Sequence, residues 1–244
     1  MTAYLASYLD KNLPASPAQS KNGQPVLLYQ EHADTPLRVA PVLPVPAAPV
    51  SSWRNGLPTL RGSQVILREL RFSDAVSLLA TMSTEEVSRF ISPPPATVEG
   101  FKTFIAWTHR QRAAGRHICF ATVVRGSDTA VGLFQIRSLE AGFGTAEWGF
   151  ALASKYWGTG IFADGAELAV RCAFEILGTH RLEARVALRN GRGNGALRKM
   201  GAVQEGVLRR SFLRNGEYLD QALWTILVED WIEAKAVWGP RIIH

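Results

Sequence analysis

Lys155-Tyr156-Trp157-Gly158-Thr159-Gly160 stands between a segment with strand character, Ala146 to Leu152, and a segment with helical period. The helix predicted after Gly160 carries Ala166, Ala169, Val170, Ala173 and Leu177 on one side. Asp164, Glu167, Arg171 and Glu175 line the other, which is a 3.6-residue repeat. The inward side is mostly alanine, so this helix can lie close against a sheet. Glycine lets a ligand approach the backbone of such a turn. The first helical turn also leaves amide donors without an intrahelical acceptor, and the helix dipole adds positive charge there. Phosphate is the guest that suits this arrangement. A tight turn that binds nothing is the other reading of the two glycines taken alone.

Working outward, Val65 to Arg68 reads as a strand, and Ser73 is placed to cap a helix through Met82. Thr97 caps a longer helix with Phe101, Phe104, Ile105 and Thr108 on one face, stopped by Gly115. Ile118 to Val124 and Val131 to Leu139 are strands flanking the hairpin signal Gly126-Ser127-Asp128. Leu182 to Leu188 follows as a strand, then a short helix from about Gly195 to Met200, stopped by Gly201. Val203 to Phe212 and Glu217 to Val228 form a final hairpin around Asn215-Gly216. The order β-α-α-β-β-β-α-β-α-β-β gives an α/β chain of the α+β kind, a mixed sheet with helices on its faces. Antiparallel hairpins at both ends argue against a doubly wound parallel sheet.

The motif resembles the pyrophosphate-binding turn of the GNAT N-acetyltransferases, which runs Gln or Arg, two residues, Gly, one residue, Gly or Ala. It is most similar to the branch that contains the ribosomal-protein alanine N-acetyltransferases of the RimJ and RimL type. That branch has Tyr-Trp-Gly-x-Gly, here Tyr156 to Gly160, and later Ala-Phe-Glu, here Ala173-Phe174-Glu175. Asn190, Leu197-Arg198-Lys199-Met200-Gly201, Glu205-Gly206 and Asn215-Gly216-Glu217-Tyr218 continue the likeness, which covers about residues 63–232. Two positions depart from it. Lys155 replaces the usual Gln or Arg, and Gly193 stands where many relatives carry serine, a proposed acid for the leaving thiolate.

The resemblance implies a largely antiparallel, splayed sheet that binds acetyl-CoA and passes the acetyl group directly to an amine acceptor in a ternary complex. It implies cofactor contacts from the main chain of Lys155, Trp157, Gly158, Thr159, Gly160, Ile161 and Phe162. Main-chain groups near Phe150 and Ala151 would serve the oxyanion and the pantetheine arm, with Asn190 hydrogen-bonded to that arm and Asn194 nearby. Glu147 is the candidate base, since an ammonium must lose a proton before it attacks. Its other reading is a salt-bridge partner. Tyr218 and Asn194 are candidate supports for the thiolate. The acceptor is expected from the side of Phe90-Ile91-Ser92, Pro93-Pro94-Pro95 and the Asn215-Gly216 hairpin. A peptide N-terminus or a small metabolite would serve, with the peptide ahead of a polyamine.

Composition bounds these readings. The chain has 244 residues, 47% of them hydrophobic, and a net charge of +6. That balance suits a polyanionic cofactor; a nucleic-acid partner is disfavoured because no block of five basic residues occurs. No window approaches ~18 uninterrupted apolar residues, so no membrane partner is expected. Cys119 and Cys172 lie in apolar runs and read as buried thiols of a reducing, cytoplasmic compartment, with a disulfide or a catalytic thiol as alternatives. The histidine and cysteine spacings give no metal site. Nine of the 13 prolines fall in residues 1–60, so 1–55 is expected to be a poorly ordered tail and 56–244 one domain, as monomer or homodimer. Two rivals stay open. One is an acyl-CoA sensor without turnover. The other is a dinucleotide site, which would need its third glycine earlier than Gly165.

Overall fold

The computed structural model describes residues 52–238. The expectation for residues 1–51 therefore lies outside the described residues, but the proposed boundary at 55 needs correction. Ser52–Asn55 forms a helical turn, α1, and Trp53 is buried edge-on against Phe143 with ring centroids 5.6 Å apart. An indole offers too much apolar surface to leave in water when a core is within reach.

Leu60–Arg61 (β1) and Val65–Glu69 (β2) follow, then a 3₁₀ turn at Phe72–Asp74 and the helix Ala75–Met82 (α2). The N-cap of α2 is Asp74 rather than the expected Ser73, and it makes no side-chain cap bond; it braces the 3₁₀ turn before the helix instead. Its carboxylate accepts the Arg71 amide at 2.7 Å and pairs with both Arg68 Nη atoms at 2.8 Å. A carboxylate serves better than a hydroxyl there because it can bond the amide and the guanidinium at once. A short helix Glu85–Ser88 (α3) precedes Val98–Ala113 (α4). As expected, Thr97 Oγ1 accepts the Gly100 amide, and Phe101, Phe104, Ile105 and Thr108 are buried.

Three antiparallel strands come next: His117–Val124 (β3), Ala130–Ser138 (β4) and Thr145–Leu152 (β5). Ile161–Arg171 (α5) ends in a widened π turn, Cys172–Ile176. Then come Arg181–Ala187 (β6), Gly191–Lys199 (α6), the hairpin Val203–Arg214 (β7) and Glu217–Leu227 (β8), and Val228–Trp238 (α7). Helix α6 begins four residues before the expected Gly195. Asn190 Oδ1 accepts the Gly193 amide at 2.9 Å, so a good cap overrides three helix-weakening glycines. The hairpin turn is as expected, with Asn215 at φ 50° and Gly216 at φ 77°, the pair of positive angles that a two-residue turn of this type requires.

The eight strands form one sheet in the order β1-β2-β3-β4-β5-β6-β8-β7. Every neighbouring pair is antiparallel except β5 and β6. Alternation along the strands gives the sheet two cores. On one face Phe134, Trp148, Leu182 and Trp224 lie beneath α5 and α6. A Cβ on Gly165 would come within 2.6 Å of Phe134, so this glycine is what lets α5 seat on the aromatic layer. On the other face Cys119, Ala121, Leu133 and Ala151 meet α2 and α4. The two thiols are free and sit in different cores. Burial pushes the Cys172 thiol up to about 12 and Cys119 higher still, which removes the nucleophilic-thiol alternative. Among the described residues, no helix is long and apolar enough to cross a membrane.

Candidate active site

Strands β5 and β6 share a short register: Thr145 with Arg181, Ala146 with Leu182, Glu147 with Glu183. Beyond that point β5 stays paired with β4 as far as Leu152, and β6 stays paired with β8 as far as Ala187. The two tails therefore diverge, each held from its outer side. Trp148, Gly149 and Phe150 line one wall of the opening; Ala184, Arg185 and Val186 line the other, with Phe90 and Asn190 at the rim. Main-chain groups facing this split have no strand to bond to, which suits an extended amide-bearing ligand.

At the far end of β5 a 3₁₀ turn, Ser154–Tyr156, leads into the glycine turn. Gly158 and Gly160 have φ values of 78° and 90°. Thr159 Oγ1 donates to the Tyr156 carbonyl at 2.8 Å, so its side chain stiffens the turn. No side chain caps α5, which leaves the amides of Ile161 and Phe162 aimed out of the helix end. Among the described residues, a Cβ on Gly158 would meet nothing within 4 Å, so they leave this side of the turn open. Asp164, the acidic residue of the first turn, does not oppose an anion here. Its carboxylate is turned to the β1–β2 connection and accepts the amides of Ser63 (3.0 Å), Gln64 (2.7 Å) and Val65 (2.8 Å). Those bonds hold it below the usual carboxylate range, against the opposing effect of its burial. Lys155 is exposed, with Nζ 5.0 Å from the Tyr156 ring centroid.

Glu147 is 5% exposed at the apex of the split, and its Oε2 accepts a hydrogen bond from Arg137 Nη2. Arg185 Nη1 lies 3.9 Å from the same oxygen. The salt-bridge reading of Glu147 is thus realised in the fold, and the residue also sits where the split begins. The row continues across the sheet. Arg185 Nη2 is 3.6 Å from Glu183, Arg181 Nε donates to Glu183 at 2.9 Å, and Arg181 grips Glu205 at 2.8 and 2.5 Å. Arg137 and Arg185 were not singled out from the sequence. The alternation Arg181, Glu183, Arg185 at period two was the available signal, since it puts three charges on one face of a strand.

Two of the expected site residues are placed elsewhere. Asn194 is committed to the fold: its Nδ2 donates to the Ala187 and Asn190 carbonyls at 3.0 and 2.9 Å, and its Oδ1 accepts Trp224 Nε1 at 2.8 Å. Donor and acceptor of its side chain are both engaged within the fold. Tyr218 is 61% exposed near the hairpin tip and does not line the split, because β8 runs on past the end of β6 before reaching it. Asn190 does line the split; its Oδ1 caps α6. Gly193 is fitted to this cap, since a Cβ there would approach Asn190 Nδ2 to 2.7 Å. Phe150 stands at the split and packs on Phe162 with centroids 4.6 Å apart, whereas the Ala151 side chain points into the opposite core. Phe90 and the hairpin do come together. Arg214 donates to the Ser88 carbonyl at 3.0 Å, and Phe90 packs against the cluster of Ala187, Phe212 and Leu219.

The family model of the acetyltransferase (GNAT) domain matches residues 64–203 of the chain. The chain belongs to the GNAT acetyltransferases. The probable N-acetyltransferase YjcK of Bacillus subtilis (strain 168) is 30% identical over 179 residues, covering 70% of this chain and 98% of that protein. YoaA of the same organism, an uncharacterized N-acetyltransferase, is 27% identical over 70% of this chain and 97% of its own length. The structure of Mycobacterium smegmatis RimJ in complex with CoA-disulfide shares the GNAT fold, with a TM-score of 0.63 at 22% identity over 68% of this chain and 83% of that one. The GNAT match spans the glycine turn, the apex Glu147 and helix α6, and ends at the first residue of β7.

Proposed function

We propose that this chain transfers an acetyl group from acetyl-CoA to a primary amine, the acceptor attacking directly while both substrates are bound. The observation that carries this is the split between β5 and β6, with an uncapped helix end at one side of its mouth and Glu147 at its apex. Acetyl-CoA supplies the acetyl group as a thioester. The residues present fit it. The turn of Trp157 to Phe162 offers amide donors for the pyrophosphate, the unpaired edge of β5 about Phe150 and Ala151 offers main-chain groups to the pantetheine arm, and Asn190 lies beside that path. Lys155 contributes only through its main chain.

Glu147 takes the role of proton acceptor for the amine, directly or through water. A proton arriving at Oε2 competes with the bond from Arg137, so the pair sets how readily that proton is held. The amine enters from the side of Phe90 and the Arg214-tied hairpin. The carboxylates near the apex, Glu147 and Glu183, are each matched by arginines, which makes this a poor site for a polycation. A peptide N-terminus or an amine-bearing metabolite is favoured, and the Tyr156 to Gly160 motif favours the peptide, as in the RimJ and RimL branch. Every residue named comes from one chain, so a monomer or a homodimer can carry the site.

The test is thiol release from acetyl-CoA over a panel of amines, with products identified by mass. Short peptides beginning with Ala or Ser should give a higher kcat/KM than spermidine. The reverse ranking removes the peptide reading and leaves acetyl transfer standing; no release with any amine removes both.

A further inference from the structure

The two arms that part at Glu147 and Glu183 meet again at the mouth of the split. One arm ends in Trp157, whose ring is fixed by the 2.8 Å bond from Nε1 to the Leu152 carbonyl. The other carries Arg192, in the first turn of α6. The Arg192 guanidinium lies over the Trp157 ring, 4.5 Å from its centroid, and so spans the mouth from one arm to the other. Arg192 differs from the arginines deeper in the sheet. Arg137, Arg181 and Arg185 are each matched by glutamates, whereas Arg192 is exposed and has no carboxylate within ion-pair distance among the described residues. Trp157 is immediately followed by Gly158, where the anion turn begins.

We propose that Arg192 is the cationic latch of the cofactor site: held over Trp157 at the mouth of the split, it is placed to bond the pyrophosphate of CoA when the arm is threaded through. The proposal rests on the acetyl-CoA reading above and adds a side-chain contact from α6 to a site otherwise built from main-chain amides. An exposed cation–π contact is weak, whereas a guanidinium–phosphate bond is charge-assisted and can be bidentate. The phosphate therefore displaces the ring as partner. Because Arg192 belongs to the arm opposite the amides, its bond closes the mouth around the bound arm. The guanidinium also places positive charge beside the turn without lengthening either strand.

The test is calorimetric titration of the full chain with CoA, with dephospho-CoA (which keeps the pyrophosphate), and with pantetheine (which lacks all phosphates) as a competitor. Arg192→Ala should weaken CoA and dephospho-CoA about tenfold or more and leave pantetheine competition unchanged. Arg192→Lys should recover part of the loss, and the salt dependence of CoA binding should be shallower in Arg192→Ala than in the parent. Thermal melts should coincide, since the side chain is exposed. Equal CoA affinity in parent and Arg192→Ala overturns the latch while the cofactor site stands. A loss confined to CoA, with dephospho-CoA unaffected, overturns the pyrophosphate assignment in favour of the terminal phosphate. An equal loss for pantetheine overturns it in favour of a role in shaping the split. A parent that binds no CoA overturns the acetyl-CoA reading as well.

Discussion

Glu147 of β5 and Glu183 of β6 face each other in the last register pair before their strands part. Side-by-side carboxylates on neighbouring strands repel, and here Arg137, Arg181 and Arg185 intervene. The result is an alternating row of charge on the sheet face that α2 and α4 only partly cover, ending at the opening where an amine would arrive. A residue suited to proton transfer is thus also part of the clamp that holds the apex closed.

Glu147→Gln separates those two roles, because the amide keeps an acceptor oxygen for Arg137 and loses the capacity to take a proton. It should lower kcat by ~10²–10⁴-fold at neutral pH with little change in CoA affinity. Stopped-flow or steady-state pH–rate profiles read this: the acid limb seen in the parent should be absent in the variant. A variant that keeps the limb moves the base elsewhere.

At the glycine turn proposed for the pyrophosphate, Gly158→Asp adds charge where a Cβ meets nothing within 4 Å among the described residues. The φ of 78° is strained for most residues but is tolerated by Asp and Asn. Gly158→Asp should weaken CoA binding about tenfold or more, and Gly158→Asn, with the same shape and no charge, much less. Calorimetry on the pair distinguishes electrostatics from strain. Equal affinities for the two variants would move the pyrophosphate away from this turn.

His117 gives a pH dependence of stability. Burial depresses its imidazole to about 3, reinforced by the nearby Arg137 charge and opposed by the bond to Gln135. The unfolded chain takes up the proton from about pH 6.5 downward, while the folded chain resists it until about pH 3. Stability from this group is therefore complete above pH 6.5 and is lost as pH falls, by up to about 1.4 kcal/mol per pH unit in that window. Denaturant melts of parent and His117→Asn at pH 7 to 4 should show a shallower slope in the variant.

Trp53 tests where the domain begins. It is 7% exposed and packs on Phe143, so Trp53→Ala should cost about 3 kcal/mol. A chain shortened to start at Leu57 should melt lower than the parent for the same reason. Unchanged melting in both would place the boundary back at residue 56.

What the sequence determined by itself was local and periodic. Alternation and a 3.6-residue repeat gave the strands and α5, Thr97 gave the start of α4, Asn215-Gly216 gave the hairpin, and the two glycines before Ile161 marked an open helix end. These signals act within a turn or a strand pair, so they survive without knowledge of what lies across the sheet. Short-range capping was already less secure: α2 begins after Asp74 with no side-chain cap, and Asn190 started α6 at Gly191. Tertiary structure decided the rest, because it depends on which strands become neighbours. The parallel placement of β6 beside β5 made the split, brought Glu183 to Glu147, and set Arg192 over Trp157, residues 35 positions apart. It also spent both ends of the Asn194 amide on Ala187, Asn190 and Trp224, and left Tyr218 beyond the end of β6, in water. Register between distant strands is set by the summed burial of both faces, and no short stretch of the chain contains that sum.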